Sequence, residues 1–357
     1  MGRRLAVLLA LVSLAVPVSS ASASGRAAQS WAAPQIATVV DVGLMGTSLN
    51  DFRPDDPLTW SELSIVVASL GGTISVVDPF RPVTIRELDA QLVNLVGLRS
   101  TARRIRAAAR AAGLAPKPWL GTETVARMLG LRVNHERSQE ELELQLTQPA
   151  TRAEAAYSVA RILSIGEPEI SAVTASVAEL TFPTLSDLQR RVLTRALRFV
   201  GSPYVWAGTS ERPQQLFGKV MPGGFDCSGF VWRVYKLAPF PGAPNLGQTL
   251  RGRTTYAMSG EVARSERIPR EQLQPGDVVF FGSRGARSKP AEIGHMGIYA
   301  GNGWLVHSSR FGTTLTPMTG WYETTFAWAR RPIAEAGLGE ELTSAQGAGS
   351  PDAGVTG

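Results

Sequence analysis

One short pattern constrains the first half of the chain more than any other feature. Pro-x-Thr-x-x-Glu occurs at Pro57–Glu62, Pro82–Glu87 and Pro149–Glu154, each time ahead of an apolar run such as LSIVVASL, LDAQLVNLVGL or AAYSVARIL. Its physical content is a capping box. The threonine hydroxyl accepts the third backbone N–H of a helix while the glutamate reaches back to the cap. The proline two residues earlier holds the chain extended before each helix. A single Thr-x-x-Glu says little, but three copies behind the same proline point to an internal repeat of helical units. The copies are spaced irregularly, by 25 and then 67 residues.

The second half reads differently. Ser186 caps a predicted helix, DLQRRVLTRALRFV, with Leu188, Val192, Leu193, Ala196 and Phe199 or Val200 on one face, and SGFVWRVYKL is again apolar at helical spacing. Four predicted strands follow, at 277–282, 295–301, 304–309 and 326–333. Helices first and consecutive strands later specify an α+β domain with a mainly antiparallel central sheet. Charge divides at a similar place. Residues 24–183 hold 15 Lys/Arg against 17 Asp/Glu, a net of −2, whereas residues 184–333 hold 19 against 9, a net of +10. A basic surface suits polyanions such as wall polymers. No aromatic-basic interleaving of the single-strand-binding kind is present, so nucleic acid is not an expected partner.

The opening MGRRLAVLLALVSLAVPVSSASASG has two arginines, an apolar stretch and Ala21-Ser22-Ala23, the pattern of a signal peptide over residues 1–23. The apolar stretch is too short to be read as a transmembrane anchor, so the expected location is secreted or cell wall-associated. Residues 334–357, rich in Gly, Ala and Ser, read as a disordered tail. Export makes the single cysteine, Cys227, informative, because secreted chains normally pair their cysteines. An unpaired one is an inert buried thiol, an intermolecular link or a nucleophile. Cys227 lies between Asp226 and Ser228-Gly229 at the start of a predicted helix, where the partial positive charge favours thiolate.

Three histidines are available to activate it. His135 lies in the polar segment NHERSQEE and reads as a solvated loop residue. His295 and His307 flank the predicted hairpin HMGIYA-GNG-WLVHSS. A three-residue loop at Gly301–Gly303 would set Gly297 opposite His307 and put both histidines on one face. A two-residue Asn-Gly turn, which local chemistry mildly favours, would turn His307 away unless a bulge restored the register.

Two resemblances build on these residues. The capped repeats, with Thr151-Arg152-Ala153-Glu154 and the upstream IATVVDVGLMGTSLNDFRPDDPLT, resemble S-layer homology repeats over residues 34–170. That implies a mainly α-helical module that binds anionic secondary cell-wall polymers. The second and third units lack a clear Phe-x-Pro-Asp loop. YVWAG, DCSGFV, LQPGDVVFF and GHMGIYAGNGWLVHSS closely resemble the NlpC/P60 cysteine peptidases over residues 184–333. This implies a papain-like catalytic domain without metal or organic cofactor, acting on peptidoglycan stem peptides at the bond between D-glutamate and diaminopimelate or lysine. It further implies Cys227 as nucleophile, His295 as base and His307 as the group orienting it, with Tyr204, Asp226 and Ser228 contacting substrate. On this resemblance the histidines share a face. The sequence departs from the family at Ala207, where glycine is common, and in the long stretch TSERPQQLFGKVMPGG, which would wall or cover the cleft. The same residues also allow an amidase or acyltransferase on the same triad, a non-catalytic wall-binding protein, or a Cys/His zinc site.

Overall fold

The computed structural model describes residues 27–338, so the expected signal peptide and residues 339–357 of the expected tail lie outside the described residues. All three capped helices form, as Trp60–Ser69, Ile85–Leu95 and Arg152–Ser164. Their caps converge on one another. Leu58 N–H donates to the Ala150 carbonyl, Ala150 to Val83 and Val83 to Leu58, each at 2.8 Å, and all three side chains are fully buried. The first N–H of each helix continues the cycle, Trp60 to Arg81, Ile85 to Gln148 and Arg152 to Asp56. The second does likewise, Ser61 to Pro79, Arg86 to Leu146 and Ala153 to Pro54. A helix cannot satisfy these donors internally. Here each repeat satisfies its neighbour, which closes three units about a pseudo-threefold axis.

The third copy departs in what its glutamate accepts from the cap. Glu62 and Glu87 accept the N–H of their own cap threonines at 2.8 and 2.9 Å, but Glu154 is drawn away to Arg132 at 3.0 Å. It belongs to a buried charge cluster with Asp89, Glu123, Arg127, Arg132 and Glu143. His135 is part of it too. It is buried, packed edge-on against Trp31 at 4.5 Å with Nε2 3.5 Å from Glu154, which corrects the solvated reading of its polar segment. The segment is polar because it supplies hydrogen-bonding groups to an interface.

That interface joins the two halves. Arg127 donates to the Gly201 carbonyl at 2.7 Å and to that of Phe311, and one apolar core runs through both halves. Beyond the helix Asp187–Leu197, two small antiparallel pairs form, β1 (Thr209–Ser210) with β4 (Gly224–Phe225) and β2 (Gln214–Leu216) with β3 (Lys219–Met221). After the helix Cys227–Tyr235 comes the main sheet: β5 (Val278–Gly282), β6 (Ile293–Gly301), β7 (Trp304–Ser309), β8 (Gly312–Pro317) and β9 (Phe326–Arg330). Its order is β8-β7-β6-β5-β9 and every pair is antiparallel. The α+β fold with a helical first half is therefore the one expected from the sequence. Strand β8, GTTLTP, is not among the four expected strands; it pairs with β7 over Gly312–Pro317. The last expected strand ends at Arg330, and Pro332–Glu335 form a short helix with Leu338 packed on the core behind it, so the first residues of the expected tail are ordered.

Burial pushes Glu143 up to about 8 and Asp89 up to about 6, against the pull of Arg132 and Arg127, and with the Asp89 charge holds Glu123 well above the usual carboxylate range. A carboxyl whose folded value is raised stabilises the fold below its unfolded value and loses that contribution as pH rises through the folded one. For Glu143 the loss runs from about pH 4.5 to pH 8. Wild-type protein should therefore lose melting temperature between pH 6.5 and 8, with Glu143 accounting for on the order of 1–2 kcal/mol. Thermal melts of Glu143→Gln, which keeps the amide oxygen as acceptor, should show a shallower fall. Parallel curves for the two proteins would mean that Glu143 is ionised in the fold.

Candidate active site

The helix that starts at Cys227 is placed by its cap. Asp226 accepts the Gly229 N–H, and Phe225 before it is buried against Phe199 and Phe230 with ring centroids 5.0 and 6.3 Å away. Gly229 lets the helix press on the Ala207–Gly208 backbone, since a Cβ there would lie 1.8 Å from the Gly208 carbonyl oxygen. Ala207 itself has φ +62°, a left-handed conformation that costs an alanine on the order of 1 kcal/mol and a glycine nothing. The departure from glycine there is thus a local strain.

The histidine register resolves in an unexpected way. Asn302 and Gly303, at φ +47° and +78°, form the tight two-residue turn, and Gly301 pairs with Trp304. Tyr299 nevertheless pairs with Leu305 and Ile298 with Val306, so Ala300 is the extra residue of a β-bulge. The bulge returns the strands to the register that a three-residue loop would give. Gly297 then lies against His307, and a Cβ on it would meet the His307 Cβ at 2.9 Å. His295 Nε2 is 3.0 Å from His307 Nδ1, with the rings perpendicular. The Tyr322 hydroxyl stands 3.2 Å from His307 Nε2.

Strand β6 also meets the cysteine helix. The Cys227 thiol receives the backbone N–H groups of Ser228 and of Met296, next to His295. Strand β7 is tied to the same place, as Ser308 Oγ donates to the Phe225 carbonyl at 2.7 Å. The expected thiolate is not the resting form. Burial and the Asp226 charge push the thiol up to about 12, outweighing those two N–H groups and Arg253. Burial also holds His295 down to about 4 and His307 well below the usual imidazole range, where the neighbouring imidazole adds to the effect. At neutral pH the site holds an uncharged thiol and uncharged imidazoles.

Tyr204, Asp226 and Ser228 are gathered here with Cys227. Burial raises the Tyr204 hydroxyl, and the Cys227 and Asp226 charges add to the rise. Asp226 and Ser228 are engaged with each other at 3.0 Å and with Arg253, whose guanidinium reaches Ser228 Oγ at 2.7 Å, Asp226 Oδ1 at 3.2 Å and the Ala207 carbonyl at 3.0 Å. Arg253 lies in a loop with no periodic signal, and sequence reasoning missed it.

The first half of the chain builds one wall. Asn134 exchanges hydrogen bonds with the Tyr204 backbone, at 3.1 and 3.0 Å, and Glu140 accepts the Trp206 N–H on both oxygens at 3.0 Å. Arg137 lies over the exposed Trp206 ring at 4.7 Å and over Phe217, at the tip of the β2–β3 hairpin, at 5.7 Å. The long insertion is thus a hairpin that grips the helical half. On the other side, a cleft of about 420 Å³ opens at His295 between Arg310, Phe311, Trp321 and Tyr322. Among the described residues, no three His, Cys, Asp or Glu side chains converge where a metal ion would sit.

Comparison with known proteins finds matches over the same stretch of chain. The profile described as "NlpC/P60 family" matches residues 201–331. A probable endopeptidase of Mycobacterium tuberculosis is 38% identical over 122 residues, 34% of this chain and 23% of that protein. A gamma-D-glutamyl-L-lysine dipeptidyl-peptidase of Bacillus cereus is 32% identical over 137 residues, covering 37% and 33%. The murein DD-endopeptidase of Escherichia coli is 28% identical over 142 residues, covering 40% and 44%. A crystal structure of an NlpC/P60 family protein from Bacillus cereus aligns with a TM-score of 0.31 at 26% identity, covering 43% of this chain and 42% of that one. The chain thus spans less than half the length of each of these curated relatives. Helix-start cysteine, bulged histidine hairpin and profile coincide on one stretch of chain, and residues 201–331 are a domain of the NlpC/P60 family.

Proposed function

We propose that this protein is a secreted thiol peptidase that cuts peptidoglycan stem peptides, with Cys227 as nucleophile, His295 as base and His307 as the group that positions it. The observation that carries the reading is the Ala300 bulge, which sets His307 against His295 beside the cysteine helix. The name of a similar murein endopeptidase supports the substrate class, and that of a similar gamma-D-glutamyl-L-lysine dipeptidyl-peptidase supports the bond after D-glutamate. Tyr204, Asp226 and Ser228, held by Arg253, form the polar floor for the stem. The pseudo-threefold helical half serves as the S-layer-homology-like module that keeps the enzyme on anionic wall polymers.

The hydrogen-bond chain dictates which tautomer works. A neutral imidazole carries one N–H. If His295 is to take the thiol proton on Nδ1, its own proton must sit on Nε2 and be donated to His307 Nδ1. His307 then carries its proton on Nε2 and donates it to the Tyr322 oxygen. Tyr322 is therefore a positioning residue. As His295 takes the proton, the Cys227 sulfur attacks the amide carbonyl, and N–H groups at the helix start hold the oxyanion. The imidazolium returns the proton to the leaving amine, and water attacks the thioester with His295 as base to release the acid and the thiol.

Wild-type protein incubated with defined muropeptides should release fragments ending in D-glutamate, read by mass spectrometry, and Cys227→Ala should release none. Cleavage that survives in the alanine variant would sink the thiol mechanism. Tyr322→Phe should lower kcat roughly 10-fold or more at unchanged KM, because His307 is then free to adopt the tautomer that blocks Nδ1 of His295. An unchanged kcat would remove Tyr322 from the chain. In the free enzyme, alkylation of Cys227 by iodoacetamide should accelerate about 10-fold per pH unit from pH 6 to 9 without a plateau, following the thiolate fraction. A flat rate over that range would reveal a preformed thiolate–imidazolium pair instead.

A further inference from the structure

The helix Asp187–Leu197 packs Leu188, Val192, Leu193 and Ala196 into the core and turns its other face to an open trough of about 820 Å³ at the junction of the two halves. Arg190, Arg191, Arg195 and Arg198 line that trough from the helix side, with Lys117 opposite and Phe240 at its base. Positions 191, 195 and 198 are i, i+4 and i+7, one stripe of a helix. None of these residues belongs to the cleft at His295.

The stripe is poorly neutralised. Asp187, the acidic residue of the lining, is taken by Arg190. Glu211, 3.8 Å from Arg198, is already held at 2.8 Å by both arms of Arg233. Arg191 bonds the Pro241 carbonyl, and Arg195 bonds the carbonyls of Val234, Ala238 and Pro239 while its guanidinium lies over the Phe240 ring at 3.5 Å. Carbonyls orient a guanidinium but do not cancel its charge. Among the described residues, Lys117, Arg191 and Arg195 have no carboxylate within salt-bridge distance. Burial and the neighbouring charges of Arg233, Arg198 and Arg191 depress Arg195, the cost of crowding like charges without counterions.

We propose that this trough binds a phosphodiester-linked polymer of polyol or sugar units, with Arg191, Arg195, Arg198 and Lys117 reading successive phosphates. The guanidinium fork matches two phosphate oxygens at once, and its orientation by carbonyls lowers the entropic cost of binding. The volume exceeds what one phosphate needs and suits several linked units. Nucleic acid fits less well, because Phe240, the aromatic ring of the trough, is covered by Arg195 and offers no free face for a base. The site lies at the junction of the two halves, taking Lys117 from the helical module and its arginines from the C-terminal half, and would hold the enzyme on its wall by charge.

The test uses the full chain carrying Cys227→Ala, so that binding is read without hydrolysis, and fluorescently labelled poly(glycerol phosphate) as probe in anisotropy titrations across a salt series. Binding should weaken steeply with salt. Arg191→Glu with Arg198→Glu, both exposed positions, should weaken it roughly 10-fold or more and reduce the logarithmic salt slope by about two. Reversal of Arg284 and Arg287 in the exposed loop before β6 should leave it unchanged. Should the double reversal misfold by circular dichroism, Arg191→Gln and Arg198→Gln singly should each weaken binding by a smaller factor. Inorganic phosphate should compete only as bulk salt does; competition at low concentration would reduce the trough to a single-phosphate site and overturn the polymer assignment. Equal binding by the arginine variants and the parent, or tighter binding of duplex DNA or a uronic acid polymer at matched charge, would also overturn it.

Discussion

The register of a single hairpin decides whether this site exists. Side chains alternate faces along a strand, so a shift of one residue between β6 and β7 would carry His307 to the far side of the sheet. The Asn302-Gly303 turn imposes that shift, and the bulge at Ala300 reverses it. Gly297 makes the outcome tolerable by leaving room for the His307 side chain, and Tyr322 closes the far side of the imidazole. Turn, bulge, glycine and tyrosine act together to hold two rings at 3.0 Å.

The helical half is bound to the second half by buried polar groups. Its capped helices exchange backbone hydrogen bonds in a closed cycle, which makes three irregularly spaced segments one body. From that body Arg127 reaches the Gly201 carbonyl behind the Tyr204 motif, and Asn134 and Glu140 fasten the motif itself. The carboxyl of Glu143 holds Asn134 in turn. Protonation inside the repeat module and the position of the cleft wall are therefore linked through two hydrogen bonds.

The electrostatics of the thiol show how magnitudes decide between opposing effects. A helix N-terminus lowers a thiol only while solvent or a counter-charge shares the work, and half-buried Cys227 has the Asp226 carboxylate beside it. Asp226 is needed as the cap that starts the helix and as the partner of Arg253. The cost of placing the nucleophile is thus a neutral resting pair. In the mechanism we propose, chemistry begins with proton transfer from sulfur to imidazole as the substrate carbonyl arrives.

Much of this was legible in the chain itself. Local chemistry determined the three threonine-capped helices, the helix start at Cys227, the tight Asn-Gly turn and the α-then-β order, because caps, turns and periodicity act over a few residues. Other features belonged to the tertiary structure alone. His135 looked solvated because its neighbours are polar, yet those neighbours face another part of the protein. Arg253 reaches the site from a loop and Tyr322 from the short helix Trp321–Thr325, neither of which carries a pattern, and β8 became a strand only because β7 offered it an edge. The bulge at Ala300 was undetermined for the same reason. Its neighbours in sequence allow two registers, and what selects one is the packing of β6 and β7 against strands and a helix supplied by distant segments.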